Sequence, residues 1–281
     1  MSLILSGFSD EYSPNFDEQL SGFNKLGIKY LELRFVDGVN VADLTDKDVD
    51  EVCKKLTDAN IKVSAIGSPL GKIGVKDDFF EHLKKAEHVF KIANRLDCKY
   101  IRMFSFYLNG EKHDDVRDEV IARLTALLDL ADAYGVVLCH ENEAGIYGDA
   151  PETCLDLLRA FNGRLRCVFD MGNFRLGGFT PLDAYQKLKD YIEYFHVKDA
   201  TLNGEIVPCG EGDAQVKDVF SQFKNGQQSK DVFVSLEPHL VAFTGLSSLA
   251  SHELTQKYVF NSPAEAFTYA TNNMKKIISS I

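Results

Sequence analysis

The sequence has no excess of positive charge: 31 basic residues face 42 acidic ones, a formal net charge of −11, and no Lys/Arg cluster is visible. An acidic surface repels phosphate backbones, so nucleic acid and anionic membranes are poor partners. No apolar run reaches the roughly 20 residues that a membrane-spanning helix needs. The first residues, MSLILSGFSDEYS, lack a basic segment followed by a long apolar stretch, so no signal peptide is expected. No C-x-x-C pair occurs among Cys53, Cys98, Cys139, Cys154, Cys167 and Cys209. Reduced, mostly buried thiols in a cytoplasmic protein are the expectation. No Gly-rich turn follows the first apolar run, where the chain reads Gly7-Phe8-Ser9-Asp10-Glu11. An open dinucleotide-binding sheet would normally carry one there. No linker, charge run or low-complexity segment divides the chain, and one domain over residues 1–281 is expected.

The chain is 45% hydrophobic and 26% charged over 281 residues, an ordinary globular composition with enough length for a large core. Short apolar runs alternate with longer helical patterns. The runs are Leu3–Phe8, Tyr30–Arg34, Lys62–Gly67, Tyr100–Ser105, Val136–Glu141, Leu165–Asp170, Ile192–Lys198 and Val232–Glu237. Each is rich in Val, Ile, Leu, Tyr or Phe, as befits a strand buried on both faces. Asp77–Leu96 reads as a helix, with Phe80, Leu83, Lys84, Glu87 and Phe90 at helical spacing; Val116–Tyr134 reads likewise, with Leu124, Leu127, Leu128 and Ala131 on one face. Pro14, Pro151, Pro181 and Pro263 each sit where a first helical turn is expected. Eight strands alternating with about eight helices in about 250 residues predict an α/β fold, a closed (β/α)8 TIM barrel. The least patterned stretch, Pro238–Asn261, joins the last strand to the last helix; a long loop there commonly shapes an active site or a subunit contact.

Active sites of such barrels form at the C-terminal ends of the strands. Strand five closes on Cys139-His140-Glu141-Asn142-Glu143, strand six on Phe169-Asp170, strand seven on His196-Val197-Lys198-Asp199 and strand eight on Leu236-Glu237-Pro238-His239. Four consecutive strands thus deliver Glu141, Asp170, His196 and Glu237 to one rim. Three carboxylates packed together repel one another unless a cation lies between them. An oxygen-rich set with one imidazole suits a single divalent cation, Mn²⁺ first, with Mg²⁺, Co²⁺ and Zn²⁺ as alternatives.

His140-Glu141-Asn142-Glu143, Phe169-Asp170-Met171-Gly172-Asn173-Phe174, His196-Val197-Lys198-Asp199 and Gly210-Glu211-Gly212-Asp213 resemble motifs of the xylose isomerase-like barrel superfamily, in its sugar phosphate isomerase/epimerase branch. By this resemblance Glu141, Asp170, His196 and Glu237 fall on the family's four metal ligands. The resemblance further implies a divalent-metal-dependent isomerase or epimerase acting on a small sugar, ketose or polyol derivative through a metal-stabilised enediolate. Glu141 and Glu237, reaching the cation from different sides, would serve as the acid–base pair. Three positions depart from the ketose 3-epimerases of the superfamily. Asn173 stands where they typically carry His, Leu202 where they carry Arg, and Tyr147 where they carry a second Glu.

Other residues are candidates for binding substrate. Lys198 follows His196 by two, so strand alternation points it into the same mouth, unless it forms a surface pair with Asp199. Asn173 and Glu211 lie in the quoted motifs. Glu32, Arg34 and Arg102 sit at the ends of strands two and four and either line a sugar pocket or pair with one another. His239, His140 and Glu143 either touch substrate or orient a ligand. His82, His88, His113 and His252 are expected to face solvent. A lyase on the same scaffold, inosose dehydratase-like or C-glycoside-cleaving, is the alternative reaction, and a non-catalytic sugar-binding role is a further one. A barrel endonuclease for abasic DNA would need histidines at strands three and four, where the chain has Ile66-Gly67-Ser68 and Arg102-Met103-Phe104. The expected partner is a small sugar or polyol; homo-oligomerisation is left open.

Overall fold

The computed structural model describes residues 2–226, 231–241 and 258–281. Eight strands carry the fold: β1 (Leu3–Gly7), β2 (Tyr30–Leu33), β3 (Lys62–Gly67), β4 (Tyr100–Met103), β5 (Val137–Glu141), β6 (Arg166–Asp170), β7 (Ile192–Val197) and β8 (Val232–Leu236). They form one parallel sheet in the circular order β1-β8-β7-β6-β5-β4-β3-β2. A parallel bridge between Phe8 and Glu32 links its two edges, so the sheet closes into a barrel. Every strand lies within two residues of its expected bounds, and the differences fall where the chain leaves the ladder.

The surrounding helices are α1 (Phe16–Lys25), α2 (Asp46–Ala59), α3 (Phe80–Arg95), α4 (His113–Tyr134), α5 (Pro151–Ala160), α6 (Pro181–Leu188), α7 (Val216–Asn225) and α8 (Pro263–Ser280), with a short turn of helix at Met171–Leu176. Their starts follow capping chemistry. Thr45 and Asp48 form a reciprocal capping box on α2, and Ser262 accepts the Glu265 N–H on α8. Proline opens α5, α6 and α8 as expected, whereas at α1 the cap is Asn15 and Pro14 precedes it. Helix α3 also starts later than Asp77, because Asp77 and Asp78 accept the N–H groups of Gly74 and Phe80 and hold the turn before it. Its buried face is Ala86, Val89, Phe90, Ile92 and Ala93, so the expected face containing Phe80 and Lys84 turns largely outward. Five of the six cysteines are buried, Cys53 is half-buried, and all are free. Among the described residues no helix is long and apolar enough to cross a membrane. Most of the Pro238–Asn261 connection, including His252, lies outside the described residues.

His82 is not solvent-facing. It is buried, and its Nε2 accepts the Gly71 N–H at 2.8 Å in the loop after β3. That loop needs a glycine: Gly71 has φ +85°, and a Cβ there would lie 2.0 Å from the Phe104 carbonyl oxygen. Burial, with Lys85 and Arg123 nearby, pushes His82 from 6.5 down to about 4. The folded protein therefore binds fewer protons here than the unfolded chain between those values. The resulting stability is complete above pH 6.5 and is lost as pH falls towards 4. Chemical denaturation at pH 7 and pH 5 should show wild type losing about 1–2 kcal/mol more over this interval than His82→Gln, which keeps an acceptor but does not titrate. Equal losses in the two proteins would refute this assignment.

Candidate metal centre

Glu141 and Asp170 end β5 and β6, His196 is the penultimate residue of β7, and Glu237 directly follows β8. All four are buried, and one ligand atom from each lies within 4.8 Å of the others. His196 Nδ1 is 3.0 Å from Glu141 Oε1 and 3.3 Å from Glu237 Oε2. Its Nε2 meets Glu32 Oε2 at 2.9 Å, while Glu32 Oε1 accepts the Tyr194 hydroxyl. A carboxylate holding the Nε2–H leaves Nδ1 as the atom aimed into the cluster, the usual arrangement behind a ligating imidazole. Asp170 also caps the Met171–Leu176 turn, accepting the Asn173 N–H through Oδ1.

The oxygens on the far side of the two glutamates are held by arginines. Arg102 donates to Glu141 Oε2 at 3.0 Å and to the Gly67 carbonyl. Arg34 donates to Glu237 Oε1 at 3.1 Å, to Asp10 and to Glu11. Beneath them the Phe8 ring lies under the Arg34 guanidinium (4.0 Å) and packs edge-to-face with His196 (ring centroids 5.1 Å apart). Gly67 makes room for it, since a Cβ there would lie 2.4 Å from Phe8. Lys198 Nζ sits 3.2 Å from Asp170 Oδ2 and 3.6 Å from Glu237 Oε2.

These charges set the protonation states. Burial raises Asp170 to about 7, with Lys198 opposing it and the neighbouring glutamates adding to it. Burial acts the same way on Glu141, but His196 and Arg102 outweigh it and bring the carboxyl down to about 2. Burial is likewise overcome at Glu237, which Lys198 and His239 hold well below the carboxylate range. Burial alone would lower His196; Glu32 and Glu141 keep it well above its usual value. A cation taking Nδ1 must therefore displace a proton.

The donor set fits a divalent cation. Asp170 Oδ2 and Glu237 Oε2 are buried and accept no hydrogen bond of acceptable geometry. Lys198 and His196 stand against them at 3.2–3.6 Å, and buried oxygens of this kind ordinarily have a hydrogen-bond donor or an ion. Three carboxylates and one neutral imidazole are ligands for Mn²⁺, Mg²⁺ or Zn²⁺. A second triad, Glu11, Glu237 and His239, is equally compact, but Arg34 lies 3.1 Å from both of its carboxylates and already supplies a positive charge.

The remaining candidates divide sharply. Asn173 Nδ2 reaches Glu141 Oε1 at 3.4 Å and the Asn142 carbonyl at 2.9 Å, and His239 Nε2 is 3.1 Å from Glu237 Oε1. Glu32, Arg34 and Arg102 do not pair with one another; each engages a member of the cluster. Lys198 does not form a surface pair with Asp199. It turns into the cluster, and Asp199 accepts the N–H groups of Ala200, Gly210, Gly212 and Ala214, pinning the Gly-rich loop. Glu211 on that loop is exposed and meets the Tyr258 hydroxyl at 3.3 Å. His140 bonds Ser105, and Glu143 pairs with Lys72 on the rim. Sequence reasoning missed Phe8, Asp10, Glu11 and Tyr194. Two adjacent carboxylates directly after strand one were the available signal for Asp10 and Glu11.

Comparison with known proteins agrees with this architecture. A family model described as xylose isomerase-like TIM barrel matches residues 23–242. A 3-dehydroshikimate dehydratase of Bacillus anthracis is 23% identical over 150 residues, covering 51% of this chain and 52% of that protein, about half its length. Among solved structures, the IOLI protein with a binding zinc atom superposes with a TM-score of 0.77 at 17% identity, covering 99% of both chains. A D-allulose 3-epimerase from Methylomonas sp., in complex with D-allulose, gives 0.76 at 13% identity, covering 98% of this chain and 97% of that one. At such identities the structural likeness shows a shared fold.

The role of Glu32 is open to direct measurement. Glu32→Gln keeps the shape but removes the charge behind the imidazole. Calorimetric titration should show Mn²⁺ affinity falling by roughly 10–100-fold while one site remains. Undiminished affinity would mean that Glu32 does not orient His196 as a ligand.

Proposed function

Because the chain belongs to the xylose isomerase-like TIM barrel family, we propose that it is a divalent-metal-dependent isomerase or epimerase of a small sugar, ketose or polyol derivative. The observation that carries this reading is the convergence of Glu141, Asp170, His196 and Glu237 on one buried point, where two carboxylate oxygens accept no hydrogen bond of acceptable geometry. These residues would hold the cation, for which Mn²⁺ is our first choice. A cation held there would supply Lewis acidity, making the C–H beside a substrate carbonyl more acidic. Glu141 and Glu237 flank the His196 Nδ1 and act as the acid–base pair. Arg102 and Arg34 hold the outer oxygens and orient both side chains. Asn173, Lys198 and His239, whose polar atoms lie against oxygens of Glu141, Asp170 and Glu237 in turn, are the residues we assign to substrate contact.

A second reading, a lyase that expels a β-hydroxyl after the same deprotonation, is favoured by the sequence match to a 3-dehydroshikimate dehydratase. One experiment separates the outcomes. The Mn²⁺-supplemented protein is incubated in D₂O with ketoses, inososes and 3-keto-glycosides and followed by NMR and mass spectrometry. We expect deuterium at the carbon beside the carbonyl without loss of water, and a fall of about 10²-fold or more in Glu237→Gln. Loss of water from the substrate would select the lyase. Turnover of Glu237→Gln at the wild-type rate would contradict the carboxylate pair.

A further inference from the structure

The three cations of the centre play different parts. Arg102 and Arg34 engage Glu141 Oε2 and Glu237 Oε1, the oxygens turned away from His196 Nδ1. They can stay in place whatever lies inside. The Lys198 ammonium instead approaches Asp170 Oδ2 and Glu237 Oε2, the two buried oxygens that accept no hydrogen bond. Its side chain is only 5% exposed, so it has little water to retreat into. Its backbone is fixed as well. Gly172, two residues after Asp170, packs so tightly on β7 that a Cβ there would fall 2.7 Å from the Lys198 carbonyl oxygen and 2.8 Å from its Cβ.

We propose that Lys198 is a counter-charge built into the cation site, competing with the divalent ion for Asp170 and Glu237 and holding its affinity down. The proposal rests on reading Glu141, Asp170, His196 and Glu237 as a cation site. A unit charge a few ångströms from a divalent ion repels it strongly, even under the effective screening of a protein interior. The same charge stabilises three buried carboxylates when they are not otherwise neutralised. An oxygen-rich ligand that draws the ammonium onto itself relieves the competition, so ligand and cation favour each other's binding. Lys198 acts on the cation through its charge, and this effect is read directly in metal affinity.

The test is Mn²⁺ binding to the full chain, by calorimetry and by the Mn²⁺-dependent rise in Tm, for wild type, Lys198→Met and Lys198→Arg. We expect Lys198→Met to bind Mn²⁺ at least about tenfold more tightly than wild type, because the repelling charge is gone. It should be less stable without metal and gain more in Tm from Mn²⁺. Should it unfold without metal, the midpoint of Mn²⁺-driven refolding by circular dichroism reports the affinity. Lys198→Arg, which keeps the charge, should stay near wild type. Equal or weaker binding by Lys198→Met, or equal tightening in both variants, would overturn the role of Lys198 while leaving the cation site intact. A protein that binds no Mn²⁺ in any form would overturn both.

Discussion

Mutual repulsion among Glu141, Asp170 and Glu237, nearly stripped of water at one end of a barrel, is the constraint around which the other features are arranged. Carboxylates in that setting are costly unless positive charge lies among them or one of them takes up a proton. The fold answers with Arg34 and Arg102 on the outer oxygens, Lys198 on the inner ones and His196 between the glutamates. They come from the ends of three strands, β2, β4 and β7, so the arrangement exists only when the barrel is closed. The closure itself depends on the same region: the bridge joining the two edges of the sheet is between Phe8 and Glu32, the ring beneath the arginines and the carboxylate behind the imidazole.

Glycines make the crowding feasible. Gly67 leaves space for the Phe8 ring, and Gly172 lets the turn after Asp170 lie against the end of β7. Gly212 meets the Asp199 carboxylate so closely that any side chain would collide with it. The His196-Val197-Lys198-Asp199 segment therefore serves four distinct functions through simple alternation: a ligand candidate, a packed spacer, a buried ammonium, and then a carboxylate on the other side that anchors the neighbouring loop.

Much of this was legible in the residues. Runs of Val, Ile, Leu and Phe separated by amphipathic stretches implied eight strands, and reading the segments that close strands five to eight placed Glu141, Asp170, His196 and Glu237 together. Cross-barrel partners were not legible in the same way. Whether Arg34 meets Arg102's glutamate, Glu32 or Glu237 depends on strand tilt and stagger, which residue order does not state. Asp199 was read as a neighbour for Lys198, but adjacent strand residues point to opposite faces. His82 looked like a helical surface histidine because its partner, the Gly71 N–H, belongs to a loop whose shape no periodicity announces. Glu211 sits in a motif yet lies on the exposed side of its turn.

The central claim is that these four residues converge in order to hold one divalent cation. Anomalous diffraction from crystals of the Mn²⁺-loaded protein tests it most directly. The account predicts one manganese peak within coordination distance of Glu141, Asp170, Glu237 and His196 Nδ1. A peak at Glu11, Glu237 and His239 instead, or no manganese at the strand ends at saturating metal, would contradict it.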